Sequence, residues 1–104
     1  MKPHVRKVGW LIAEMFNVSK IGGVRSNAID RAGHPAGLAL DFMVPVRSAK
    51  GDRIAQFLLD HKKALGIKYV IWKQRINHGS GWKRMEDRGG VTANHMDHVH
   101  ASFY

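Results

Sequence analysis

With 104 residues, the chain has room for one hydrophobic core and excludes a multidomain enzyme. It contains no cysteine, which excludes both a disulfide framework and a thiolate zinc site. Lys and Arg outnumber Asp and Glu by 17 to 8, which gives a net charge of +9. This charge predicts attraction to polyanions. Nucleic acid and bacterial cell wall are both polyanions, and charge alone cannot choose between them.

The first half of the chain predicts a helix followed by two strands. Between Val5 and Phe16 the apolar residues recur three and four positions apart, as they do on one face of a helix. Ile21–Arg25 is predicted to be a short strand. Leu38–Val44 is predicted to be a buried strand that Pro45 ends.

The second half predicts another helix and two more strands. Asp52–Leu65 has an apolar stripe, an early acidic residue and late lysines, which is the polarity that a helix dipole favours. Strands are predicted at Lys68–Gln74, which Arg75–Asn77 can extend, and at Val99–Phe103. A loop as long as 78–94 in so small a domain favours a functional role.

This order of elements predicts a single α+β domain over residues 1–104. Helices are expected to pack on one side of a small, mostly antiparallel sheet, and a zinc site is expected on the open face. Trp10 and Trp72 are predicted to fill the core.

A histidine and an aspartate flank the start of the second predicted strand. His34 and Asp41 are seven residues apart, too far along a helix axis to share one ion and on opposite faces of a continuous strand. Gly33 and Gly37 predict a loop around His34, which allows both side chains to reach one metal ion. The alternative is a surface histidine and an aspartate in a cap or salt bridge.

A second group of candidate residues lies near the C-terminus. His95, Asp97, His98 and His100 fall within six residues, and a strand would place His98 and His100 on one face. Clusters of this kind are typical of metal sites. They also occur as accidental groups of surface histidines.

Together the two groups can supply a catalytic zinc site. His34, Asp41 and one histidine of the C-terminal group offer two imidazole nitrogens and a carboxylate, which is the ligand set that leaves one position open for water. A zinc ion is therefore the predicted cofactor.

These residues also carry a family resemblance. The pattern His-x-x-Gly-x-Ala-x-Asp, followed by Asp-x-x-His and His-x-His, resembles the zinc peptidases that include D-Ala-D-Ala carboxypeptidases, phage L-alanyl-D-glutamate endopeptidases and the hedgehog signalling domain. Lys68–Trp72 and Trp82–Arg88 are similar to actinobacterial and actinophage wall-lytic domains, including endolysin peptidases. Ser19–Arg25 resembles the strand that delivers an arginine to the active site. The family often has Ser or Thr where this chain has Ala32.

The resemblance implies a zinc-dependent peptidase that hydrolyses an amide bond in the stem or cross-link peptides of peptidoglycan. It implies His34, Asp41 and His100 as the zinc ligands and Asp97 as the general base. His98 is expected to orient the water or to stabilise the oxyanion, and Arg25 to add positive charge beside it. His98 and His95 are alternatives to Asp97 as the base.

Two other functions stay open at this point. One is a metal-dependent nuclease, although the chain lacks a recognisable ββα metal hairpin; the other is an inactive, zinc-stabilised module that binds cell wall. The expected partners are peptidoglycan peptides and anionic cell-wall polymers. Neither nucleic acid binding nor membrane insertion is expected, and the chain is expected to be a monomer. The sequence leaves the bond that is cut undetermined.

The expected location is extracellular or in the cell wall, with the host cytoplasm as the location before release if the protein is a phage lysin. The first residues are too polar for a signal peptide, and no segment reaches the ~18 apolar residues that span a membrane.

Overall fold

The computed structural model describes residues 2–22 and 38–104. In these ranges the chain forms three helices and one antiparallel sheet of six strands, so the predicted α+β class is confirmed. The elements in chain order are helix α1 (Pro3–Phe16), strands β1 (Ile21–Gly22) and β2 (Ala39–Met43), helices α2 (Ala49–Asp60) and α3 (Lys62–Leu65), and strands β3 (Ile67–Trp72), β4 (Arg75–Asn77), β5 (Trp82–Arg84) and β6 (His98–Phe103).

The C-terminal strand β6 lies inside the sheet, between β2 and β3. The strand order is β1-β2-β6-β3-β4-β5. Asp41 of β2 is directly opposite His100 of β6, and His100 is in turn opposite Ile71 of β3. Because directly opposed residues of antiparallel strands point to the same face, these side chains share one face of the sheet.

The other face of the sheet carries the hydrophobic core. Helices α1 and α2 both contribute to it, through residues such as Ile12 and Leu58. The fully buried strand residues that meet them alternate with the polar ones along β2 and β6, as a period of two requires; they include Leu40, Phe42 and Val99. The helices therefore cover the face opposite to Asp41 and His100.

Helix α2 begins three residues earlier than its sequence pattern indicates. The hydroxyl of Ser48 accepts a hydrogen bond from the backbone N–H of Gly51 and caps the helix. A Cβ at Gly51 would lie 2.2 Å from the Trp72 ring, so only glycine allows this contact. The indole N–H of Trp72 then donates to the Asp52 carboxylate at 2.8 Å.

Trp72 is a core residue, as predicted. The prediction that Trp10 fills the core is wrong, since Trp10 is 65% exposed on α1.

The remaining differences from the sequence prediction occur at turns. The predicted helix Asp52–Leu65 is divided at His61, whose backbone leaves the helical region. The predicted strand Lys68–Gln74 ends at Trp72, and the chain turns back through Lys73 and Gln74 into β4. Strand β5 lies within the predicted loop 78–94. None of the helices in 2–22 and 38–104 is long and apolar enough to cross a membrane.

Candidate functional site

The pairing of β2 with β6 brings two of the predicted zinc ligands together. Nδ1 of His100 lies 2.9 Å from Oδ1 of Asp41. Asp41 is 1% exposed and His100 is 3% exposed, so the pair is buried. The expectation that these side chains lie on an open face of the sheet is therefore wrong. A buried carboxylate needs a partner, because burying an isolated charge costs far more than burying a paired one.

The other ring nitrogen of His100 also has a hydrogen-bond partner. Nε2 lies 2.8 Å from the hydroxyl of Ser102, two residues further along β6 on the same face. The Tyr69 ring stacks on the imidazole with 6.0 Å between centroids and 17° between planes. The hydroxyl and the stacking ring together restrict the orientation of His100, so that Nδ1 points at Asp41.

His98 lies beside this pair, and its two ring nitrogens have different surroundings. Its Nδ1 is 2.8 Å from Oδ1 of Asp97, and its Nε2 is 3.8 Å from Oδ1 of Asp41. Among the described residues, Nε2 has no hydrogen-bond partner, although the side chain is buried. If Nδ1 carries the proton and donates it to Asp97, Nε2 has a free lone pair aimed into the site.

Asp97 is engaged through both of its carboxylate oxygens. Oδ1 interacts with His98, and Oδ2 accepts a hydrogen bond from the hydroxyl of Thr92 at 2.9 Å. Burial alone would raise the pKa of the Asp97 carboxyl, but the hydrogen bonds from His98 and Thr92 outweigh it and lower that pKa below its ordinary value. The prediction that Asp97 is the general base stays a prediction; this geometry also suits a carboxylate that orients His98.

His95, in the turn that precedes β6, places its ring against two other histidines of the site. Its ring centroid lies 4.7 Å from that of His98 and 5.6 Å from that of His100. Burial, followed by the neighbouring His98 and His100, lowers the pKa of His95 to about 3, so its ring is neutral at pH 7. Its Nδ1 is buried and has no hydrogen-bond partner among the described residues.

Two of the predicted site residues cannot be placed in the site from this structure. His34 and Arg25 lie outside the described residues. Within 2–22 and 38–104, no three His, Asp or Glu side chains are arranged to hold a metal ion. The predicted ligand set is therefore represented by Asp41 and His100 alone.

Sequence reasoning did not identify Ser102 or Thr92. Ser102 could have been found, because it follows His100 by two residues in a predicted strand and therefore shares its face. Thr92 lies five residues before Asp97 in an irregular turn, and no periodic pattern connects the two.

Comparison with known proteins identifies the family. A family model described as VldE, C-terminal domain, matches residues 1–96. The chain belongs to the VldE C-terminal domain family. The resemblance to D-Ala-D-Ala carboxypeptidases, L-alanyl-D-glutamate endopeptidases and hedgehog-type zinc peptidases is accordingly wrong as an assignment of family, since the matched family and the matched relative carry no such name. The same holds for the closer resemblance to actinobacterial and actinophage wall-lytic domains.

One relative of this VldE-family chain is an uncharacterized secreted protein of the fungus Arthroderma benhamiae. The two are 44% identical over 57 residues, which cover 47% of this chain and 23% of the relative. The chain therefore matches less than a quarter of the relative's length. No solved structure matches the chain significantly.

Proposed function

We propose that the protein is a zinc-dependent hydrolase that cleaves an amide bond in peptidoglycan peptides. The observation that supports this most strongly is the buried pair of Asp41 and His100, beside which the Nε2 of His98 has no hydrogen-bond partner within 2–22 and 38–104. In the proposed site Asp41 and His100 bind the metal ion, and His34 supplies the third ligand that the sequence pattern predicts.

The distances in the site suit this donor set. Two ligand atoms that are each about 2.0–2.1 Å from a tetrahedral zinc ion lie about 3.3 Å from each other. The 2.9 Å between His100 Nδ1 and Asp41 Oδ1 needs to increase only slightly to reach this value. With Nδ1 as the ligand atom, the Nε2–H of His100 donates to the Ser102 hydroxyl, which is the outer hydrogen bond that metal-bound histidines usually make.

The Nε2 of His98 has no hydrogen-bond partner in the part of the chain that the structure describes, which is a second argument for a ligand at this position. A buried polar atom without a hydrogen bond costs about 1–3 kcal/mol of folding free energy. A polar group bound between His98 and Asp41, whose facing atoms are 3.8 Å apart, removes that cost. A water molecule would be such a group, and zinc held by Asp41 and His100 would supply it in activated form, since the ion lowers the pKa of a water to about 7.

The protein side chains then divide the proton transfer between them. His98 would accept a proton at Nε2 from the water that attacks the amide carbonyl, and would return it to the leaving amine as the C–N bond breaks; Asp97 would hold the transient imidazolium through Nδ1. Thr92 fixes the Asp97 carboxylate from its other oxygen. Arg25 is proposed to stabilise the negative oxygen of the tetrahedral intermediate, as the sequence analysis predicts.

The substrate class is proposed on the basis of charge and location. A net charge of +9 attracts the phosphates and carboxylates of bacterial cell wall. The fungal relative is named as a secreted protein, and we propose an extracellular location for this domain as well.

Digestion of purified peptidoglycan tests the proposal. Zinc-loaded protein is expected to release muropeptides with new amino termini, detected by mass spectrometry, and a chelator is expected to stop the release until zinc is restored. Nicking of plasmid DNA under the same conditions, without muropeptide release, would identify a nuclease instead. Stoichiometric zinc with neither activity would identify a binding module.

A further inference from the structure

We propose that a basic cavity at the sheet edge is a second binding site, which takes the phosphate groups of an anionic cell-wall polymer. The cavity has a volume of about 620 Å³. Its lining residues are Arg47, Lys73, Gln74, Arg75, Arg84 and Met96. Four of the six are cationic and none is acidic, so the cavity attracts anions.

Two of the arginines are placed where their charges repel. Arg75 of β4 is directly opposite Arg84 of β5 in the antiparallel register. Like charges in directly opposed positions destabilise a sheet. An anion bound between the two guanidinium groups would replace this repulsion with attraction.

The cationic groups of the cavity are only partly neutralised by the protein. Lys73 forms an ion pair with Asp52 at 2.9 Å, and the Arg75 guanidinium lies over the Trp82 ring, 4.9 Å from its centroid. Within 2–22 and 38–104, Arg47 and Arg84 form no ion pair. A bound anion can therefore pair with these two side chains without breaking an existing ion pair.

The backbone around the cavity is held in an unfavourable conformation. Arg47, Lys73 and Gln74 have φ angles of 52°, 52° and 61°, in the left-handed region that non-glycine residues seldom occupy. Two-residue hairpin turns with two positive φ angles usually contain Asn-Gly. The use of Lys-Gln at this turn indicates that the side chains there serve a purpose other than forming the turn.

The cavity is joined to the candidate active site through the backbone. The N–H of Arg47 donates to the carbonyl of Met96 at 2.8 Å, and the N–H of Lys73 donates to the carbonyl of His95 at 2.9 Å. His95 is the residue whose ring lies against His98 and His100. The turns that line the cavity are therefore hydrogen-bonded to the segment that carries His95 into the candidate site.

The chemistry of the cavity favours phosphate groups of a polymer that has no bases. Guanidinium groups bind phosphate through two parallel hydrogen bonds. Nucleic acid binding grooves add open aromatic rings on which bases stack, but the six described residues that line this cavity include no aromatic one, and Arg75 occupies a face of the Trp82 ring. The choice of a wall polymer, such as poly(glycerol phosphate), rests on the proposed function.

Titration of the protein with delipidated poly(glycerol phosphate) tests the site. Arg47→Ala and Arg84→Ala are each expected to weaken binding about tenfold, as loss of a charge-assisted contact would, and to lower the salt dependence. The matched control is Arg6→Ala, an exposed arginine on α1 outside the cavity, with an expected change of less than about twofold. Thermal unfolding monitors the fold of each variant.

Equal weakening in all three variants, or no binding by the wild-type protein, would overturn the proposal. A dT oligonucleotide that binds more tightly than the polymer, with the same two arginine dependences, would reassign the cavity to nucleic acid. Because binding is measured without catalysis, its failure is distinct from failure of the proposed hydrolase. Cleavage of soluble muropeptides is expected to stay unchanged in Arg84→Ala.

Discussion

Nδ1 of His100 lies 2.9 Å from Oδ1 of Asp41, although 59 positions separate the two residues in the chain. The contact exists because the last strand inserts between β2 and β3 and aligns His100 with Asp41. On their opposite face both strands pack against the hydrophobic core, which fixes the register of their pairing. A shift of that register by one residue would turn the polar side chains into the core.

Removal of one proposed ligand is expected to abolish zinc binding. In Asp41→Ala, His100→Ala and His34→Ala the metal loses one of its three proposed protein ligands. Metal content after dialysis measures the effect, and His61→Ala, an exposed histidine at the end of α2, is the control. A variant that keeps one zinc per chain would remove that residue from the ligand set.

The roles of Asp97 and His98 can be separated by a double-mutant cycle. If His98 is the base and Asp97 orients it, His98→Gln and Asp97→Asn each lower kcat by about 10²–10⁴-fold, and the double variant is no slower than His98→Gln. The zinc content is expected to be unchanged in all three. A double variant in which the two losses multiply would show that Asp97 acts independently, as the base that the sequence analysis predicts.

Ser102 is expected to tune the affinity for metal without taking part in the chemistry. Ser102→Ala removes the acceptor for the Nε2–H of His100, and loss of such an outer contact costs about 10–100-fold in metal affinity. Competition with a chromophoric chelator measures this affinity. Ser80→Ala, in an exposed turn, is the matched control. An unchanged affinity in Ser102→Ala would indicate that Nε2, and not Nδ1, is the ligand atom.

Gly51→Ala is expected to destabilise the fold despite the better helix propensity of alanine. The added methyl group would meet the Trp72 ring at 2.2 Å, and overpacking of this kind costs about 1–3 kcal/mol. Chemical denaturation measures the free energy of unfolding. Gly90→Ala, where an added Cβ meets no atom within 4 Å, serves as the control. A stabilised Gly51→Ala variant would show that α2 can move away from Trp72.

The fold class could be predicted because its signals are local. The spacing of apolar residues three and four positions apart predicts helix α1. The apolar stretch around Asp41 predicts strand β2. The division of the second helix at His61 and the turn at Lys73-Gln74 were missed, since neither carries the glycine or proline that marks a break.

The site was predictable only in part. The sequence indicated that His98 and His100 share a face and that Asp41 stands alone in an apolar strand. It could not indicate that β6 lies next to β2, because strand order depends on long-range pairing. Nor could it show that Thr92 reaches Asp97, which depends on the shape of an irregular turn.

The most direct test of the proposed metal site is a crystal structure of the zinc-loaded protein with anomalous data collected at the zinc absorption edge. We expect one anomalous peak per chain, within about 2.0–2.2 Å of both Asp41 Oδ1 and His100 Nδ1. A peak bound elsewhere, or no peak while these two atoms stay hydrogen-bonded to each other, would contradict the proposal.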